Sequence, residues 1–162
     1  MPWPRASRTS AQAPSSDHPV SPTDPALWLL LVAAAHLGFQ VTVTVMVYPA
    51  LRDVPPDDWT RSHALHSRRI VPLVGALYLP LVALLAWAAV AHPGDPGTWL
   101  AVAGGVLSVG TTAAVAAPVH GQLGGAVSRA DRARLTRRLM VADRVRALGA
   151  LVCLAGAVWL VT

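Results

Sequence analysis

Apolar residues fall along this chain in four long runs, separated by short stretches of polar residues, proline and glycine. The runs cover 26–51, 70–91, 98–119 and 139–162. About 20 mostly apolar residues in a helix span the ~30 Å hydrocarbon core of a bilayer, so each run predicts one transmembrane helix. Together they predict an all-α, four-helix transmembrane bundle. The polar stretches refine it. Pro55-Pro56-Asp57-Asp58 is a helix start, with proline in the first turn and acids at the positive end of the dipole. Ser128 with Asp131 three positions later is a capping box. The second and fourth helices are therefore expected to begin near Pro56 and Arg129 and to extend beyond the membrane. Turn formers fill 92–97, so the second and third helices are antiparallel neighbours. Pro49 is expected to end the first helix, and Pro72 and Pro80 to kink the second. Residues 1–25 are rich in proline and serine without apolar periodicity, which predicts a disordered tail rather than a signal peptide.

Composition supports the membrane assignment: 54% of residues are hydrophobic and only 13% charged, against about a quarter charged in soluble domains. The net charge of +5 does not point to nucleic acid, because the arginines sit beside apolar runs, where topology and lipid headgroups explain them. Arg52, Arg61, Arg68 and Arg69 lie in 52–69, and Arg129, Arg132, Arg134, Arg137 and Arg138 in 120–138. The 92–97 connector has no basic residue other than His92, and the tail has Arg5 and Arg8. The positive-inside rule then places both basic loops in the cytoplasm and both termini outside, in a cell (inner or plasma) membrane. The single cysteine, Cys153, cannot form an intrachain disulfide and carries no redox information.

This topology brings His63, His66, His120, Asp143, Arg144 and Arg146 to one membrane face. His63 and His66 share a helix face at i, i+3. Neutral imidazoles with the Asp143 carboxylate could ligate a transition metal, and His120 with His63 or His66 could ligate haem. No HExxH, Glu-x-x-His or CxxC pattern accompanies them, so no cofactor is predicted outright. The plainer alternatives are interfacial histidines and an Asp143–Arg146 ion pair, with Arg144 snorkelling to the headgroups. His36, Gln40 and Thr44 form an intramembrane polar stripe, expected to be separate from that cluster and to serve interhelical hydrogen bonding or a proton path. Gly104, Ser108, Thr112 and Ala116 recur every four residues as a small-residue helix-packing face.

LGFQVTVTVMVYPAL at the end of the first run, HALHSRRI before the second, and PVHGQL with RRLMVADRVRAL around the last loop carry a further signal. With them the chain resembles a group of small four-span bacterial membrane proteins similar to the anthrone-oxygenase-like family, over roughly residues 27–160. The resemblance rests on Gly38, Tyr48-Pro49, Pro118, His120 and Arg144/Arg146. It implies cofactor-free oxygenation of polyketide anthrones. Asp143 stands where that family usually has asparagine, which leaves the substrate open. Two functions are thus expected. One is an oxygenase or oxidoreductase acting on a lipophilic aromatic, with His63, His66 or His120 as base and Arg144 and Arg146 orienting an enolate. The other is a non-enzymatic scaffold or small transporter subunit, assembling as a homo-oligomer through the Gly104–Ala116 face. In both, the bilayer is the surrounding partner.

Overall fold

Three of the four long helices start where a side chain takes up a backbone donor that the first turn leaves free. Asp24 accepts from the Ala26 N–H at 2.8 Å and opens α1, Pro25–Arg52. Asp95 accepts from the Gly97 N–H at 2.7 Å and opens α3, Pro96–Leu123. Ser128 accepts from the Asp131 N–H at 3.1 Å and opens α4, Arg129–Val161. The remaining helix, α2, spans Pro56–Ala91 and begins with a single 3-10 turn, Pro56–Asp58. The computed structural model describes residues 23–125 and 128–162. They form an all-α, four-helix bundle. The expected disordered tail lies outside the described residues, apart from Thr23, Asp24 and Pro25, which lead into and begin α1.

Each of the four helices is long and apolar enough to cross a membrane, as a membrane protein requires. Their outward faces agree: Val90 is 81% exposed and Leu79 75%. In water such faces would be a liability, whereas in lipid they match the solvent.

Pro49 does not end α1, which runs on to Arg52. The reason lies one turn earlier. Val43–Val47 is a π-turn, and Pro49 follows it by two positions. Thr112–Ala116 in α3 is another, and Pro118 follows it by the same two. Proline has no N–H to donate, and its ring presses on the carbonyl four residues back. A locally widened turn relieves that clash and lets the helix continue. Pro72 and Pro80 lie inside regular α-helix.

The closest helix packing is α3 on α4. A Cβ on Gly104 would collide with the backbone of Gly149 and Cys153, and one on Gly156 with Ala101 and Gly97. Glycine is required at these crossings because the backbones touch. Inside the bundle are two apolar clusters. One gathers Val43, Tyr48, Trp59, Val119, Leu123 and Leu139 at the end bearing the basic segments. The other gathers Leu29, Ala33, Leu81, Leu85, Ala101 and Cys153 at the opposite end. Between them along all four helices lies a polar layer: His36 and Gln40, Tyr78, Ser108 and Thr112, Asp143 and Arg146.

Candidate functional site

Asp143 and Arg146 face inward from adjacent turns of α4. Arg146 Nη2 donates to Asp143 Oδ1 at 2.8 Å, and both residues are buried. From Arg146 to the end of α4 at Val161 is about 22 Å along the axis, less than the ~30 Å hydrocarbon thickness, so an apolar layer that reaches Val161 takes in this pair near its other boundary. There an isolated charge would be prohibitively desolvated, and pairing alone is insufficient without further hydrogen bonds. Those bonds come from α1. Gln40 Nε2 donates to Asp143 Oδ1 and Thr44 Oγ1 to Asp143 Oδ2, each at 2.7 Å. The expected separation of the polar stripe from the charged turn is thus corrected: Gln40 and Thr44 are the hydrogen-bond donors that hold the Asp143 carboxylate. The third member, His36, turns to α3 and α2 instead. Its Nε2 lies 3.2 Å from Ser108 Oγ, and its ring meets Tyr78 edge-on. Tyr78 in turn reaches Thr112 Oγ1 at 3.0 Å.

Arg146 also donates to the Tyr48 hydroxyl at 2.8 Å. Accepting that bond leaves the Tyr48 O–H free to donate elsewhere. Tyr48 lies directly after the π-turn of α1, and its ring stacks against His120, which follows the π-turn of α3. His120 Nδ1 is 3.3 Å from His63 Nε2. The His66 ring is 5.6 Å from that of His120. The three histidines therefore converge, His63 and His66 from one face of α2 and His120 from the end of α3. In a neutral pair such as His63–His120, the donor ring keeps a lone pair on its other nitrogen and the acceptor ring keeps its proton on its other nitrogen. The pair offers one base and one acid outward, whichever ring donates. Trp59 stacks on His63 and ties α2 to α3 by donating Nε1–H to the Leu123 carbonyl at 3.1 Å.

Tyr48 and the three histidines share one cavity of about 810 Å³ between α1, α2 and α3, with Arg146 reaching in from α4. Its apolar wall is Phe39, Val43, Ile70, Val71, Val74 and Ala116. Along α2 it runs from His63 to Val74, about 16 Å of helix axis. Such a volume suits a drug-sized molecule, and an apolar wall with a few convergent polar groups is the usual form of a small-molecule site. Arg146 Nε is buried without a partner, as are His36 Nδ1 and Gln40 Oε1.

Arg144 is not part of this arrangement. It is exposed on the other side of α4 and lines a smaller pocket with Thr44, Pro49 and Arg52. The proposed metal set is also divided. Asp143 is held by Gln40, Thr44 and Arg146, away from the histidines, and among the described residues no three His, Cys, Asp or Glu side chains are set to hold a metal ion. The packing face is used within the chain: Gly104 and Ser108 lie against Gly149 of α4, Thr112 bonds Tyr78, and Ala116 is buried. Ser108 and Ala116 are thus taken up in packing the bundle, while Thr112 is half-buried. Reading the sequence missed Tyr48 as a site residue, because Tyr-Pro at the end of an apolar run does not by itself separate a helix end from the π-turn that precedes Tyr48.

The fold and the buried polar layer define a four-helix membrane protein with a cavity among its helices. No family model, curated protein or solved structure matches the chain.

Proposed function

We propose that the chain is a multi-pass protein of the cell membrane that binds a lipophilic aromatic molecule in the cavity and oxidises it with dioxygen. The observation carrying this reading is Arg146, which lines the cavity that the three histidines share and keeps a buried Nε–H without a partner. An unsatisfied buried donor is costly, so its retention points to a ligand acceptor. The substrate is a ketone with an acidic C–H beside its aromatic rings. The lone-pair nitrogen of the His63–His120 pair takes that proton, and the C–H electron pair moves into the carbonyl as an enolate. Arg146 Nε–H and Tyr48 O–H donate to the enolate oxygen where charge develops. The enolate carbon then bonds dioxygen, and the proton returns to give a hydroperoxide. The resemblance to the anthrone-oxygenase-like family supports the same chemistry, now with Arg146 rather than Arg144 at the oxygen.

The basic segments lie together at the cavity end of the bundle, and we place that end in the cytoplasm with both termini outside. Purified protein in detergent, given an anthrone and dioxygen, tests the enzymatic step. Dioxygen uptake should fall at least about 100-fold in His120→Ala, the lower end of what a general base contributes. Absence of uptake above a protein-free control, or unchanged uptake in both His120→Ala and Arg146→Gln, would contradict it.

A further inference from the structure

A second pocket lies at the same end of the bundle, and Trp59, which lines it, stacks on His63 of the first. It encloses about 480 Å³ and is lined by Arg52, Arg129, Arg132 and Arg137 over a base that includes Val54, Trp59 and Met140. No acidic residue lines it. We propose that this pocket binds a phosphate monoester or diester group, presented by an anionic lipid headgroup or by a soluble phosphate.

The first support is charge. Arg129–Arg138 at the start of α4 holds five arginines and one aspartate, Asp131. That aspartate is already bonded to Arg134, which points outside the pocket, at 3.0 Å. Arg129, Arg132 and Arg137 have no carboxylate partner among the described residues. Arg129, and Arg132 at the end of the first turn, also sit at the positive end of the helix dipole, where cations are unfavourable and an anion is welcome. Arg52 is joined to Asp53 through Nε at 3.3 Å, which leaves its two terminal nitrogens to donate.

The second support is shape. Guanidinium groups present planar forks that match phosphate oxygens in pairs, and several around one pocket neutralise a dianion or grip a diester from two sides. The Arg132 guanidinium is held 5.1 Å over the Trp59 ring, which fixes one fork in place. The apolar base beneath the arginines suits the glycerol and first acyl carbons of a lipid. The position also suits one, since the pocket adjoins the ends of the apolar runs.

Binding can be read by native mass spectrometry of the full chain in neutral detergent, titrated with phosphatidylglycerol, with phosphatidylcholine, or with phosphatidylglycerol against inorganic phosphate. The expected result is one phosphatidylglycerol per chain, preferred over phosphatidylcholine. In Arg132→Gln/Arg137→Gln its affinity should fall about tenfold or more, each basic side chain near a lipid surface contributing substantially. In Arg138→Gln, which removes a charge from the same helix outside the pocket, affinity should hold. Displacement by millimolar inorganic phosphate would support the same site with a soluble phosphate as its ligand, and resistance to it would support the lipid. Equal weakening by Arg138→Gln would overturn the proposal in favour of diffuse attraction. So would the absence of both a phosphatidylglycerol preference and phosphate binding.

Discussion

Asp143 and Arg146 show how a buried ion pair is tolerated inside the membrane. Neither charge is left to its partner alone, since Gln40 and Thr44 complete the carboxylate and Tyr48 accepts from the guanidinium. Asp143→Ala would strand the arginine and is expected to destabilise the bundle by about 3–5 kcal/mol, the usual cost of breaking a buried pair from one side. Asp143→Asn keeps a side chain of the same shape but loses the charge, so it should fall between that variant and the native chain. Thermal unfolding in detergent checks both, and equal midpoints for the native chain and Asp143→Ala would contradict the assigned network. The Asp143–Arg146 pair was visible in the sequence, but the partners that α1 brings to it were not. A spacing of four told that Gln40 and Thr44 share a face. It could not tell that the face meets Asp143 rather than another helix, because helix rotation is set by side-chain packing that no single run encodes. The spacing of three did separate Arg146, paired with Asp143, from Arg144, and the one is buried and the other exposed.

At the scale of the helices, the two π-turns are the features that shape the site. Each precedes a proline, and each is followed by a ring that faces the cavity, Tyr48 in α1 and His120 in α3. Pro118→Ala restores the missing N–H and removes the ring clash, so the widened turn loses its cause. The variant is expected to fold at least as stably, while His120 leaves its place beside His63 and turnover falls. Unchanged turnover with a regular α-helix across 112–116 would contradict that link. Glycines supply a second test at this scale. Gly104→Leu must push apart the α3 and α4 backbones and should lower the unfolding midpoint sharply. Gly110→Ala should be tolerated, because a Cβ there meets nothing within 4 Å. Helix number, approximate ends, the capping box at Ser128 and the continuous α2 were all legible, since hydrophobic runs and caps are local signals. The continuation of α1 through Pro49 was not, because proline in a membrane helix reads equally as a stop or as a π-turn.

At the scale of the molecule, an apolar exterior surrounds a polar layer, and a cavity opens beside it at the end where the arginines gather. Expressed with a reporter on each terminus, the chain should display both outside the cytoplasm, and a cytoplasmic C-terminus would reverse the orientation argued from the basic loops. The central claim is that the cavity binds a lipophilic aromatic whose oxygen is met by Arg146. The most direct measurement is equilibrium binding of a hydroxyanthraquinone, followed by its visible absorption, to the native chain, His120→Gln, Arg146→Gln and Arg144→Gln in one detergent. The native chain and Arg144→Gln should bind one dye per chain with the same affinity and the same red shift of a bound phenolate. Arg146→Gln should bind at least about tenfold more weakly and lose the shift, the loss expected when a charged hydrogen-bond donor is removed. His120→Gln should retain the fold and weaken binding less. Equal affinity and equal spectra for Arg144→Gln and Arg146→Gln would contradict the account.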